Sequence, residues 1–435
     1  MTMGLEDRSG WIALAGQAAA FPAVAGDVTA EYAIVGGGVT GLAAARRLAE
    51  IAPGKRIVLI DGKRLGQGAS ARNSGFAVAH ESPVHADLSS PEGRARYALT
   101  NRIDLAGVAE LHRLVAAHRI DCDWEDTGTI YAAHNVANFD TLHRHWKSSK
   151  DLGIDAELIE RDALARRLGT SHYGLGVETR GGALLQPGKL LRGLVEALPP
   201  AVEAFENSPV RRIARAGAGW SLELDLGTVR AAKVIVGVNA FLPRLRLKRM
   251  RVFPLALTAS LTRALSAEEE ERIGRPDSWG ILSPRPLGAT VRLTRSRRIL
   301  IRNTAEYARG GITPAMLAAR RRVHAEGLAR RFPFLGEADI EHSWSGAVCI
   351  SRNERPVFEE TAPSLFLCGC YNASGLSRGT ILGRLIADLA EGGADPLLAD
   401  AIALGGPSLI PPRPVFDIGA KLRLAWERRR GATEI

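Results

Sequence analysis

The chain is poor in cysteine and lysine and has no long apolar run, and each shortage excludes something. Four cysteines in 435 residues, Cys122, Cys349, Cys368 and Cys370, are too few to staple a chain this long, so a disulfide scaffold is excluded and a reducing compartment is implied. No uninterrupted stretch approaches the ~20 apolar residues that a spanning helix needs. The Ala-rich segment Trp11 to Gly26 has no basic lead, is broken by Gln17 and Pro22, and follows the mixed-sign Glu6, Asp7 and Arg8, which makes it a poor export signal. A cytoplasmic protein with no membrane partner is therefore expected. Of 57 basic residues only 8 are Lys, and the +10 formal charge is carried by Arg scattered along the chain. That pattern reads as a solvated surface rather than a nucleic-acid footprint, while leaving anionic small molecules as candidate ligands. The 10 His show no paired ligand spacing and Cys368-Gly369-Cys370 lacks partner ligands, so no metal is expected. With 46% apolar residues the chain is too hydrophobic for disorder, and its length predicts two or three folded units.

After a loop expected at Gly26 to Ala30, Tyr32-Ala33-Ile34-Val35 reads as a short buried strand that runs into Gly36-Gly37-Gly38-Val39-Thr40-Gly41. The following Leu42 to Glu50 is helical, ends at Pro53-Gly54, and gives way to a second strand, Arg56 to Ile60, closed by Asp61. This is a complete βαβ nucleotide unit. Gly36 permits the tight turn, Gly38 lets backbone approach a pyrophosphate, and Gly41 lets the helix lie close on the sheet. Val39 and Thr40 sit at the helix start, where unpaired amides and the helix dipole favour an anion. Asp61, 20 residues beyond Gly41, is placed to accept hydrogen bonds from a ribose, and its charge disfavours a ribose 2′-phosphate. On these residues alone, FAD and NAD both remain open.

The run Gly62-Lys63 to Gly75, a Gly/Ser/Arg loop containing Gly68-Ala69-Ser70-Ala71-Arg72-Asn73-Ser74-Gly75, resembles the loop after the second strand in the D-amino-acid oxidase superfamily, particularly its γ-glutamylputrescine oxidoreductase-like and sarcosine oxidase-type amine oxidases. The similarity continues through Gly10-Trp11-Ile12-Ala13, Cys122-Asp123-Trp124, Thr127 to Tyr131, Gln186 to Leu190, Pro209-Val210 and Val234 to Phe241. A second motif, Ser364 to Asp388, is strand, Gly-containing loop and helix. The resemblance implies FAD, with Gly62, Lys63, Ser70, Ala71, Arg72, Asn73 and Ser74 along the cofactor, Val210 at the adenine and Asn239 at the sheet return. It also implies that the amides near Gly375, Leu376 and Ser377 face the flavin pyrimidine, where a helix N-terminus stabilises negative charge. The family usually has Gly in place of Cys370 and often His in that loop.

The implied fold is α/β (α+β), with a Rossmann-like FAD domain from residues 28–84, 181–245 and 342–400 and a mixed-sheet substrate domain from 85–180 and 246–341. Residues 1–27 form a lead-in and 401–435 a C-terminal extension, whose amphipathic Ile418 to Arg430 is expected to pack on the body or on a second subunit. The implied reaction is oxidation of a C–N bond in an amine, N-alkyl amino acid or γ-glutamylated polyamine, by hydride transfer to flavin N5 and hydrolysis of the imine. Competing readings are a flavin monooxygenase using NAD(P)H and a non-catalytic flavin-binding protein. Sarcosine oxidase-type members carry a covalent flavin cysteine at the place matched by Cys349, so covalent attachment stands beside a small core residue. Leu300 takes the place of the Lys those members use near N5, which leaves O2 and another electron acceptor both open. Arg72, Asn73, Arg302 and Asn372 are the catalytic candidates, with His80, Tyr307 and Arg352 ranked below them. Family members usually have Gly near Arg302, so an Arg there points to an anionic substrate, with Arg292 on the same face if the hairpin register allows.

Overall fold

The computed structural model describes residues 9–308 and 310–435. The first eight residues of the lead-in, with Glu6, Asp7 and Arg8, lie outside the described residues. The elements that position the site are, in chain order, β1 (Gly26–Val35), α1 (Val39–Ile51), β2 (Ile57–Ile60), β3 (Gly227–Val236), β4 (Val252–Ala264), β5 (Thr290–Leu293), β6 (Arg298–Glu306), β7 (Ile340–Ser351), β8 (Leu365–Gly369), α2 (Ser377–Glu391) and α3 (Val415–Arg430). Two large sheets organise them.

The first sheet runs Val357–Ala362, β8, β3, β1, β2 and Val202–Phe205, with the last five strands mutually parallel. The ends of β1 and β2 are continuous buried runs because helices cover one face and further strands the other. β1 begins at Gly26, where the sequence reading has a loop. Its polar half is strand because β3 pairs with it in register from Gly26 opposite Gly227, and Asp27 meets Arg230 at 3.0 Å on the exposed end. Alternating exposure hid that half from an apolar-run criterion.

The second sheet runs β7, β4, β6, β5, Trp279–Leu282, Thr129–Ala133, Leu175–Thr179 and Ala156–Glu160. The hairpin register sets Arg302 opposite Thr290 and Arg292 opposite Leu300. Because side chains alternate along a strand, all four lie on one face. Leu300 on that face packs with Trp11, Ala259, Leu261 and Trp344. The lead-in is a short helix, Gly10–Ala15, capped by Ser9 and buried against the body. No described helix is long and apolar enough to cross a membrane.

Candidate active site

The first turn is built from glycines that no other residue could replace without movement. Gly36 has φ +107°, and a Cβ there would sit 2.9 Å from the Gly237 carbonyl oxygen. Gly41 lies so close to Gly36 that a side chain would strike its carbonyl. The result is an N-terminus of α1 brought down on β1. Leu42 N is the first amide to bond back into the helix, to Gly38 O. Val39 N donates to Ser70 Oγ at 3.1 Å, while the amides of Gly38, Thr40 and Gly41 meet no acceptor among the described residues. Unmet amides at a helix start, beside a cradle too tight for a Cβ, fit a diphosphate.

Asp61 stands at the end of β2, accepting from Gly37 N and Lys63 N, both at 2.8 Å. Burial pushes its carboxyl up to about 6, against the pull of those two amides. Ser208 N donates to Asp61 O at 2.9 Å, and a Cβ on Gly62 would lie 3.4 Å from Pro209, so the segment leading into Val210 runs beside the same loop. Glu206, which the sequence reading passes over, is buried and holds this loop from below, accepting from Leu65 N at 2.8 Å and pairing with Arg64 at 2.6 Å.

The loop Ser70 to Gly75 is fixed from three directions. Ser9 Oγ donates to Ala71 O, Trp11 Nε1 to Asn73 O and Trp344 Nε1 to Arg72 O. Arg72 is buried and donates to the carbonyls of Gln67 and Ser345. The Asn73 amide turns on its own loop, donating to Ser70 O and accepting from Gly75 N. Ser74 O and Gly75 O accept from Arg292 Nη1 at 3.4 and 3.2 Å, and Leu185 O does so at 2.5 Å. Arg292 is thus a fully buried cation bonded to backbone carbonyls, and burial lowers its pKa to about 10. Nothing local in the sequence announces these partners, which come from over a hundred residues away.

The second motif closes the other side. After β8 the chain turns through Cys370, Asn372 and Ala373, all with positive φ, into α2. Asn239, itself at φ 46°, accepts from Cys370 N at 2.9 Å, and Asn372 Oδ1 accepts from Ser351 N at 2.9 Å. These bonds shape the loop so that the amides of Gly375, Leu376 and Ser377 find no acceptor among the described residues. Ser377 Oγ donates to Val78 O, and Arg378 behind it is buried in a bidentate pair with Asp104. Tyr371 Oη, also absent from the sequence reading, joins the two motifs by meeting Thr40 Oγ1 at 2.6 Å.

Of the remaining candidates, Arg302 is partly buried and donates to Thr290 Oγ1 at 2.9 Å; no carboxylate pairs with it among the described residues, and burial lowers its pKa to about 10. Cys349 is buried on β7, and its thiol is raised well above the ordinary range by a hydrogen bond with Cys370 and by burial. Tyr307 donates to Asp417 of α3 at 2.7 Å, which ties the C-terminal helix to β6. His80 is half-buried with its pKa lowered by burial, and Arg352 is exposed.

Two turns with unmet amides, joined through Thr40 and Tyr371, match what comparison with known proteins finds. The family described as DAO, FAD dependent oxidoreductase, matches residues 31–389. The chain is 27% identical over 383 residues to the probable oxidoreductase OrdL of Rhizobium meliloti (strain 1021), covering 86% of this chain and 85% of that one. It is 26% identical over 392 residues to the gamma-glutamylputrescine oxidoreductase of Escherichia coli (strain K12), with 88% and 89% covered. Among solved structures, glycine oxidase from Geobacillus kaustophilus superimposes with a TM-score of 0.70 at 20% identity, covering 85% of this chain and 96% of that one. The chain belongs to the DAO family of FAD-dependent oxidoreductases.

Proposed function

We propose that the chain oxidises the C–N bond of a small amine bearing an anionic group, an N-alkyl amino acid or a γ-glutamylated polyamine. The observation that carries this reading is Arg302, a partly buried guanidinium with one neutral partner and no carboxylate among the described residues, on the sheet face shared with Arg292, which holds the loop Ser70 to Gly75. A cation kept from water without a counter-charge favours an incoming anion, and its planar fork suits a carboxylate. The glycine oxidase and gamma-glutamylputrescine oxidoreductase among its relatives are both named for nitrogen-bearing substrates.

In this reading residues 28–84, 181–245 and 342–400 hold FAD, and 85–180 with 246–341 supply the substrate side. When bound, FAD supplies the hydride acceptor. The amides of Gly38, Thr40 and Gly41 hold the diphosphate, Asp61 the ribose, and the amides of Gly375, Leu376 and Ser377, with the dipole of α2, favour negative charge at the pyrimidine end. Arg72, Asn73 and Asn372 act as positioning residues, since their hydrogen bonds shape the loops on either side. Trp11, Trp344 and Leu300 keep water from beneath the substrate. Leu300 stands where the resembling oxidases carry a Lys, and the nearby Arg292 is tied up by backbone carbonyls, which supports a slow reaction with O2 and a faster one with another acceptor.

The test is anaerobic mixing of the yellow holoenzyme with a panel of amino acids, N-alkyl amino acids and γ-glutamylated amines, followed by reoxidation with O2 or an artificial acceptor. Bleaching by carboxylate-bearing amines is expected. Arg302→Met should raise KM for them at least about tenfold, the scale of one charged hydrogen bond, and leave decarboxylated analogues unchanged. Retained FAD with no bleaching by any amine would sink the proposal.

A further inference from the structure

The C-terminal helix α3 presents a surface that the proposed reaction does not use. It lies beyond residues 31–389, the part matched by the family. Its inner side is anchored: Phe416 packs edge-on against Phe253 at 4.7 Å, Asp417 accepts from Tyr307, Glu427 is buried and Arg428 reaches Glu306. Beyond the helix, Glu434 is buried and accepts from His134 N, Asn135 N and Asn138 Nδ2, which pins the chain's end to the body. The helix is therefore a fitted part of the fold, held with one side outward.

That outward side is apolar. Val415, Ile418, Leu422 and Trp426 are 64%, 58%, 66% and 44% exposed. Spacings of three and four residues align them in one stripe along a helix about 24 Å long. A second apolar row, Phe416, Ala420 and Leu424, faces the body, so the helix is apolar on two sides and only one is covered. Lys421, Arg423, Arg429 and Arg430 are exposed around the outer stripe. Arg423 and Arg430 lie over the Trp426 ring at 4.6 and 4.5 Å. The helix's two acids, Asp417 and Glu427, are both engaged with neighbours of the inner side or with Arg423, so the outer face offers cations alone.

We propose that this face of α3 docks on an anionic lipid bilayer surface, its apolar stripe entering the headgroup–acyl boundary and its flanking cations meeting lipid phosphates. Charge decides the occupant. A second copy of the chain would bring Lys421, Arg429 and Arg430, none with a carboxylate partner among the described residues, against themselves with no exposed acid on the helix to answer them, Arg423 being already paired with Glu427. A phosphate-rich surface answers them all, and a Trp between two guanidinium groups suits a boundary that is wet on one side and apolar on the other. This departs from the sequence expectation of no membrane partner, and it stands independently of the substrate assigned above.

The experiment is flotation of the full-length holoenzyme with vesicles of phosphatidylcholine alone or mixed with phosphatidylglycerol, with sedimentation velocity in parallel. The protein should float with the anionic vesicles at least about tenfold better than with the neutral ones, and be released at about 1 M salt, where screening is complete within ~3 Å. Leu422→Glu and, separately, Arg429→Glu should each lower flotation about tenfold or more, with flavin absorbance and far-ultraviolet dichroism unchanged. Because both positions are exposed and far apart on the helix, a folding defect in one variant leaves the other to decide. Absence from the anionic vesicles, equal binding to neutral ones, or undiminished binding by both variants overturns the proposal. So does a lipid-free dimer that Leu422→Glu dissociates, since it would mean a second copy covers the stripe.

Discussion

Gly36→Ala should loosen both the fold and the hold on FAD, and the structure gives the size of the effect. Gly36 sits at φ +107°, where an L side chain costs about 1–3 kcal/mol. The new Cβ would stand 2.9 Å from Gly237 O, 3.1 Å from Gly237 C and 3.2 Å from Val238 Cγ1. Neither backbone can step aside: Gly36 N is bonded to Ile60 O and Gly237 N to Val35 O, each at 2.8 Å. Overpacking of this kind adds about 1–3 kcal/mol, and the lower chain entropy of unfolded Ala returns only about 0.4–1 kcal/mol. A net loss of about 1–5 kcal/mol is expected in urea titration of the apoprotein. Because the turn also sets the amides of Gly38, Thr40 and Gly41, the dissociation constant for FAD should rise about tenfold or more, read by flavin fluorescence. Gly336→Ala is the control, since a Cβ at Gly336 meets nothing within 4 Å and the change should stay within about 0.5 kcal/mol. Wild-type stability and affinity in Gly36→Ala, or equal damage in Gly336→Ala, would refute the reasoning.

Two further outcomes concern Asp61 and Cys349. Burial holds the Asp61 carboxyl at about 6, above its unfolded value of about 3.9, so its ionisation works against the apoprotein fold as pH rises between those values. The ionised form is the stronger acceptor for ribose hydroxyls, so FAD affinity should fall by up to about tenfold per pH unit below 6, and Asp61→Asn should flatten that dependence; an unchanged slope in the variant removes Asp61 from the ribose. Cys349 is protonated by its bond with Cys370 and by burial, the opposite of an activated thiolate. Acid precipitation should therefore leave the yellow colour in the supernatant, and colour in the pellet would establish a covalent bond.

What could be read in the sequence is what depends on neighbours in sequence. The turn Gly36 to Gly41, the helix after it and Asp61 are one local unit, because the need for glycine arises between residues five apart, and its spacing survives in the linear text. The segment Ser364 to Asp388 was legible for the same reason, as a strand, a loop and a helix in succession. The fates of Arg292 and Arg302 were not. Alternation alone puts both on one face, given the observed register, yet Arg292 is taken up by the carbonyls of Ser74, Gly75 and Leu185 while Arg302 meets only Thr290 among the described residues. The difference is made by a loop more than two hundred residues earlier, which no periodicity in the hairpin can report. Tyr307 shows the same limit from the other side: it reads as a pocket residue on the end of β6, but α3 arrives from 110 residues later and takes its hydroxyl. The difference between the two arginines, one holding the loop and the other bonded to a single threonine among the described residues, is thus a property of long-range docking, and the substrate preference proposed for this chain rests on that docking more than on any motif.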